Sequence, residues 1–364
     1  MNNNLLPFAV AGILAGAMGT AQAGGVTLYG KVLVSFDALD CDAGMMTGGG
    51  CNRAGTVTQN GSDFLMHSRP GFGAIGVKGS EDLGNGLTAL FQLEYGIDPS
   101  EAGTFTGRDQ WAGLRGGFGT LRFGSISTNY KQSGAALDPF WRTSLDSRDA
   151  GRLSQLHAGN GQNGQGRATN TVRYDSPSFS GAKLVANYTL DNGSGVEDNN
   201  AYGFGMHYSA GPIFAAIDYI TNDNGGKDDA WKLGGKYTLG DAAFYGSYER
   251  GGLLFANLGH LNLTQAAFEA EYAPGAIARD VNGDGSAKMW HLGASYSLGG
   301  TMAYFAYGRG DRNLGAADDE HRSWTLAVNH SFTKRTSVYG GFERLDRDIR
   351  GKRDLTTFGM VHNF

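Results

Sequence analysis

VTLYGKVLVSFDAL, residues 26–39, alternates with period two. Val26, Leu28, Val32, Val34 and Phe36 fall on one face; Thr27, Tyr29, Lys31, Ser35 and Asp37 fall on the other, with Leu33 out of pattern. Successive side chains of a strand point to opposite sides, so this is a strand with one apolar and one polar face. The pattern returns at Leu87, Ala89, Phe91, Leu93, Tyr95 and Ile97 against Thr88, Gln92 and Glu94, and again at Trp231, Leu233, Tyr237 and Leu239 against Lys232, Lys236 and Thr238. Working outward, sixteen such segments are predicted, near 26–39, 68–79, 87–98, 109–116, 120–126, 170–176, 182–191, 200–209, 213–222, 229–239, 241–250, 287–298, 301–310, 321–332, 335–346 and 353–364. Most are close to the ~9–11 residues of a tilted membrane strand.

The connections sort by length. After even-numbered segments they are mostly tight: GGFG at 116, SPSFSG at 176, AGP at 210, GD at 240, GG at 299 and TK at 333. After odd-numbered segments they are mostly long and polar: 40–67, 99–108, 127–169, 192–199, 223–228, 251–286, 311–320 and 347–352. A soluble sandwich has no reason to sort its loops this way, whereas a membrane barrel with short turns on one side and long external loops does. The physical cause is hydrogen-bond accounting: hydrocarbon offers backbone groups no partner, so a sheet there must close on itself. Its outer face must be apolar and its inner face can be polar, and sixteen strands leave a lumen wide enough for water.

Composition agrees. Glycine supplies 60 of 364 residues, more than twice the usual share of about 7%. Hydrophobic residues are only 40% and mean hydropathy is −0.31, lean for a chain with large dry cores. A formal charge of −5 excludes a nucleic-acid footprint, so no nucleic-acid partner is expected. LLPFAVAGILAGAM, from Leu5 to Met18, has the length of a signal-peptide apolar region, and Ala21-Gln22-Ala23 supplies a small-x-small cleavage pattern. Residues 1–23 are therefore expected to be a signal peptide and 24–364 a single barrel domain. MNNN before the apolar region lacks the customary basic residue.

Several pieces resemble the trimeric Gram-negative general porins of the beta-proteobacterial type: VTLYG at 26, GSEDLGNGLTALFQLEYG at 79, AGLRGGFGTLRFG at 112, NTVRYDSPSFSG at 170, FTKRTSVYGGFERLDRD at 332 and TFGMVHNF at 357. The last ends in Phe364, with Phe358, Met360 and His362 on its face, and is similar to the terminal signature read by the barrel-assembly machinery. The resemblance implies an all-β transmembrane antiparallel barrel of sixteen strands, a homotrimer in outer-membrane lipid and lipopolysaccharide, and passive diffusion of small hydrophilic solutes and ions. It also implies a third external loop, here 127–169, folded into the lumen, with Asp138-Pro139-Phe140 at its tip. Trp141 follows where the family usually has Gly, Ser125 stands where a basic residue is expected, and Val361 where the last strand often has one. The alternative function is a substrate-specific channel with a solute-binding site in its lumen.

By alternation Lys31, Arg122, Arg173, Lys183, Lys232 and Lys236 point inward, as do Asp37, Glu94, Asp175, Asp218, Glu249 and Glu343. Lys31, Arg122 and Arg173 are expected level with the folded-in loop, opposed from it by Asp138 and Arg142. Lys78, Arg115 and Glu94 are secondary lumen charges. Because most acids crowd the external loops, where bulk water screens them, this placement predicts a weak anion preference. Cys41 and Cys51 lie in the first external loop of an oxidising compartment and are expected to pair. The other motifs carry bland readings. Gly71-Phe72-Gly73-Ala74-Ile75-Gly76 matches a dinucleotide fingerprint but is followed by a strand and turn, not a helix. Asp280-Val281-Asn282-Gly283-Asp284-Gly285 starts like a calcium loop, yet position twelve is His291 where the bidentate Glu belongs. The histidines lack metal-ligand spacing and no nucleophile elbow is present, so no metal, cofactor or catalytic residue is expected.

Overall fold

The computed structural model describes residues 25–42, 61–67, 72–100, 105–148, 150–154, 160–161, 166–190, 200–222, 229–251, 287–313, 318–348 and 351–364. The elements, in chain order, are β1 (Val26–Cys41), β2 (Gly61–His67), β3 (Gly73–Gly84), β4 (Leu87–Ile97), β5 (Phe105–Gly116), β6 (Gly119–Ser127), α1 (Asn129–Ala136), β7 (Asn160–Gly161), β8 (Arg167–Asp175), β9 (Ala182–Thr189), β10 (Ala201–Ala210), β11 (Ile213–Asn222), β12 (Asp229–Leu239), β13 (Ala242–Gly251), β14 (Ala287–Leu298), β15 (Thr301–Asn313), β16 (Asp318–Ser331), β17 (Thr336–Arg347) and β18 (Gly351–Asn363). Neighbours pair antiparallel around the whole circumference. β1 closes on β18, from Lys31↔Asn363 to Cys41↔Arg353. β2 and β3 share one edge of β1, against residues 35–41 and 26–31 respectively, and so form one wall strand. With them joined, and the two-residue parallel bridge β7 set aside, the eighteen strands make a closed barrel of sixteen.

Two expectations change. Residues 61–67 are strand, although the sequence reading placed them in a loop: β1 runs for sixteen residues and its upper half needs a ladder partner on this edge too. The connection after β6 also begins with a helix. Thr128 caps α1, its side chain accepting from the Lys131 N–H.

The outer face is apolar. Val26, Leu28, Leu184, Phe204, Leu233 and Leu298 are exposed at every second position, an arrangement water would penalise and lipid accepts. The inner face holds buried polar and charged groups such as Asp37, Arg173, Asp218, Glu249 and Glu343. Leu33, out of pattern in the sequence, is inward and fully buried in a cluster with Leu39, Phe140, Leu145 and Tyr339, so it packs on the connection after β6. At the seam, Gly30 and Phe364 exchange two backbone hydrogen bonds of 3.0 Å. A Cβ on Gly30 would lie 2.3 Å from the Phe364 ring, so only glycine admits that ring. Among the described residues no helix is long and apolar enough to cross a membrane.

Candidate pore constriction

The wall of β4–β8 is built around a slip in the ladder. Between the pairs Leu93↔Gln110 and Tyr95↔Gly107, Arg108 and Asp109 stand together opposite Glu94. Such a bulge re-aims side chains, and here it buries both charges instead of one. Arg108 pairs with Glu94, which also accepts from the Tyr29 hydroxyl at 3.0 Å. Asp109 accepts from the Ser127 N–H at 2.9 Å and from Arg167 Nε at 2.8 Å. One row further from the loop, Arg122 and Arg173 face each other across β6 and β8 and both bind Asp175, joined by Lys183 at 3.0 Å.

Residues 128–154 reach inward positions of many strands. Asn129 Nδ2 donates to Asp218 at 2.8 Å, and the Tyr130 hydroxyl donates to Glu249 at 2.8 Å while Lys232 Nζ sits 4.0 Å from the Tyr130 ring centroid. Leu137 occupies the space over Gly234, where a Cβ would come within 2.3 Å of Leu137 Cδ1. Phe140 packs on Tyr304 and Tyr339, with centroids 5.4 and 6.2 Å apart. The Ser144 and Ser35 hydroxyls share a hydrogen bond of 2.9 Å, and Arg152 lies 3.6 Å from Glu343. Ser154 N–H returns to Glu249 at 3.1 Å. The segment is thus fastened to β1, β11–β13, β15 and β17, leaving its remaining edge toward β4–β8.

That edge is basic. Arg142 adopts φ 60°, a left-handed conformation that costs a non-glycine residue on the order of 1 kcal/mol or more. Three hydrogen bonds offset it: the Arg142 N–H to Asp146 at 2.8 Å, Lys31 Nζ to the Arg142 carbonyl at 2.9 Å, and Arg142 Nη2 to the Phe72 carbonyl at 2.8 Å. Arg148 stacks on Trp141, 4.4 Å from its ring centroid, and pairs with Asp146 at 2.7 Å. Lys131 and Arg142 act electrostatically on Arg108, Arg148 and Arg167. Burial and this crowding of like charge lower Lys131 well below the usual lysine range and bring Arg142 down to about 9, so Arg142 stays charged at neutral pH. The group brings together six basic residues, Lys31, Arg108, Lys131, Arg142, Arg148 and Arg167, and three acids, Glu94, Asp109 and Asp146.

Asp138 is not part of that edge. It is buried inside the segment, accepting from the Phe140 N–H at 2.9 Å and the Ser147 N–H at 2.7 Å. Burial, with Asp146 nearby, pushes its carboxyl up to about 7. The sign follows: between the open-chain value of about 3.9 and about 7, the closed segment holds a proton that the opened one releases, so opening becomes easier as pH rises through this window. Hydrogen exchange at the Phe140 and Ser147 amides, corrected for intrinsic rates, is expected to show greater opening at pH 8 than at pH 6. Asp138→Asn is expected to flatten that dependence; an unchanged midpoint in the variant would refute the assignment.

A family model described as Gram-negative porin matches residues 9–350. The chain belongs to the Gram-negative porin family. Among its relatives, the major outer membrane protein P.IA of Neisseria meningitidis serogroup C is 27% identical over 341 residues, covering 80% of this chain and 82% of that one. The major outer membrane protein P.IB of Neisseria gonorrhoeae is 38% identical over 144 residues, 39% of this chain and 38% of that one. An anion-selective porin from Comamonas acidovorans superposes with TM-score 0.70 at 23% identity, over 94% of this chain and all of that one. The protein is an outer-membrane porin whose barrel forms a passive water-filled channel.

Within this porin the structure brings Lys31 and Arg142 together at 2.9 Å, on one side and not across from each other. Arg173 is fully buried, bound to Asp175, Ser127 and Gln132 beneath α1, so its charge is already spent. Arg122 is paired with the same acid and stacked on Trp111. Lys78 and Arg115 share the inward parity but are exposed toward the turn end, Lys78 lying over Tyr29. Sequence reading missed Arg108, Asp109, Lys131, Arg148 and Arg167. The bulge breaks the parity rule at Arg108, whereas Asp109 shares the inward parity of Arg115; Lys131 and Arg148 lie in a connection whose path periodicity cannot give. In the fingerprint-like run, Gly73 and Gly76 are strand positions where a Cβ would come within 2.7 Å of the Ile97 carbonyl and the Tyr29 ring, a packing role. Residues 1–23, expected to be a signal peptide, Cys51 and residues 280–285 lie outside the described residues; among those described, no cluster could hold a metal ion.

Proposed function

We propose that residues 128–154 fold into the lumen and narrow it, and that the opening left between this segment and β4–β8 favours small anions. The observation that carries the reading is the excess of basic residues there, six against three acids; charges lining a narrow aqueous opening between low-dielectric walls act strongly because field lines focus. Lys31, Arg108, Lys131, Arg142, Arg148 and Arg167 supply the attraction. Arg122, Arg173, Lys183 and Asp175 form a neutralising cluster behind them, and Asp138 holds the segment's own shape. Residues 1–23 direct export, no residue is assigned a catalytic role, and the barrel works as a homotrimer, as a trimeric outer membrane protein of Vibrio cholerae with the same fold does. The test is the reversal potential of the wild-type channel in a salt gradient. An anion-selective sign is expected, with conductance that rises with salt without saturating; saturable block by one solute would instead favour a substrate-specific channel.

The pairing of Cys41 with Cys51 belongs to the same proposal. Cys41 is buried at the rim end of β1, and no described cysteine is a free thiol. Non-reducing peptide mapping is expected to recover the two linked, and Cys41→Ser/Cys51→Ser to leave the barrel folded, because the closed ladder carries the fold. Alkylation of both thiols in the native, unreduced protein would end the claim.

A further inference from the structure

Where residues 128–154 meet β15–β17, Arg152 is pressed against the inner wall and fully buried. A Cβ on Gly308 would come within 2.6 Å of Arg152 Cγ, so the side chain lies directly on the ladder at that rung. Gly308 stands opposite Ser323 on β16, and Thr325, the next inward residue of β16, stands opposite Glu343 on β17. His321 Nε2 donates to the Gly151 carbonyl at 2.8 Å and fixes the chain beside Arg152. The guanidinium therefore sits over a patch of wall made by Gly308, Ser323, Thr325 and Glu343.

Its protein contacts leave donors over. Arg152 Nη2 reaches Ser147 Oγ at 3.4 Å and lies 3.6 Å from Glu343 Oε2. Arg152 Nε and Nη1 have no protein partner, and neither has the Ser323 hydroxyl, although both side chains are buried. Buried donors are costly to leave unmade, and most costly on a charged group. The charges are unbalanced in the same direction. Glu343 also accepts from Arg353 Nη2 at 2.7 Å and from Thr325 at 3.1 Å. One carboxylate thus answers two guanidinium groups, with none of the three side chains more than 3% exposed. Asp138, the other acid that feels Arg152, is taken by the Phe140 and Ser147 N–H groups.

We propose that this patch binds a small monovalent anion of the halide class, held by Arg152 Nε and Nη1 and the Ser323 hydroxyl, and that the anion locks the end of the connection to β15–β16. A guanidinium offers donors and no acceptor, so whatever completes it must accept. A negative charge also offsets the second arginine on Glu343, which a water molecule does not. Full burial of Arg152 and Ser323 restricts the occupant to a compact ion, and chloride is supplied by the medium that fills the lumen. The patch lies on β15–β17, whereas the proposed constriction faces β4–β8. The inference rests on the seating of residues 128–154 against the wall and not on the selectivity of the channel.

The first test is anomalous diffraction from crystals of the folded protein grown with sodium bromide in place of chloride. A bromide peak in contact with Arg152 Nε, Arg152 Nη1 and Ser323 Oγ is expected; a water there without anomalous signal overturns the proposal. The second is the thermal midpoint of the folded barrel in sodium bromide, against sodium gluconate at equal ionic strength. The midpoint is expected to rise with bromide and saturate. In Ser323→Ala the half-saturating bromide concentration is expected to be about tenfold higher, the scale of one hydrogen bond to a charged group. Arg142→Glu, which alters the opening toward β4–β8, is expected to keep the wild-type bromide response. An unchanged half-saturating concentration in Ser323→Ala overturns the proposal, and so does loss of the response in Arg142→Glu, which assigns it to the constriction. A bromide peak with no rise in midpoint marks an adventitious ion only and overturns it too. The sign of the reversal potential tests the channel reading separately, whatever anion this patch holds.

Discussion

Deletion of Phe364 is expected to remove most of the folded protein from the outer membrane. Phe364 extends the β1–β18 ladder that closes the barrel. Phe364 N–H donates to the Gly30 carbonyl and Gly30 N–H to the Phe364 carbonyl, each at 3.0 Å, at the end of the β1–β18 seam. Its ring lies over Gly30, filling the gap left by the absent Cβ. Loss of the residue strands two backbone groups near the membrane boundary, where unsatisfied groups cost several kcal/mol each, and removes the apolar terminus that the assembly machinery is expected to read. Gly30→Val is expected to do similar damage from the other side, because the new side chain collides with the ring. Heat-modifiable mobility of outer-membrane fractions measures both. Wild-type levels of folded barrel after the deletion would show that the seam closes without this residue, and a tolerated Gly30→Val would show that the ring can leave.

Arg142→Glu is expected to reverse or abolish the anion preference. The substitution changes the local charge by two units where Lys31, Arg108 and Arg148 crowd together. One unit charge several ångströms away in a partly aqueous gap is worth roughly 1 kcal/mol after screening, so the anion-to-cation permeability ratio is expected to fall on the order of tenfold, and further at low salt. Arg173→Ala is the internal comparison. Arg173 looked equally exposed to the lumen by alternation, but it is buried and shares Asp175 with Arg122 and Lys183. Its removal is expected to shift the ratio less and to cost stability, since it leaves the Ser127 carbonyl and Gln132 without their donor. Reversal potentials in a salt gradient measure both variants. An equal shift for the two would mean that Arg173 meets the permeating ion and that its pairing has been misjudged.

How much of the site was legible differs from residue to residue. Lys31, Glu94, Arg122 and Asp175 lie in regular strand, and parity placed each on the inward face where the structure has it. Asp109 shares the inward parity of Arg115, but Arg108 beside it could not be placed, because two adjacent residues share an inward face only where the ladder slips opposite Glu94. Arg142 was expected across from Lys31, whereas the left-handed turn at Arg142 brings its carbonyl to the Lys31 ammonium. Asp138 was taken for an open luminal acid, whereas two N–H groups of its own segment hold it inside.

Strand number, facing and closure were determined by the sequence alone, and for one reason: hydrocarbon enforces period-two alternation along every strand and forbids a free edge, so local pattern and global fold carry the same information. The path of residues 128–154 was decided only by the tertiary structure. Its anchors are single contacts to distant wall residues, such as Tyr130 to Glu249, Ser144 to Ser35 and Leu137 over Gly234. Such contacts obey no period, so alternation could not say where this segment carries Lys131, Arg142 and Arg148.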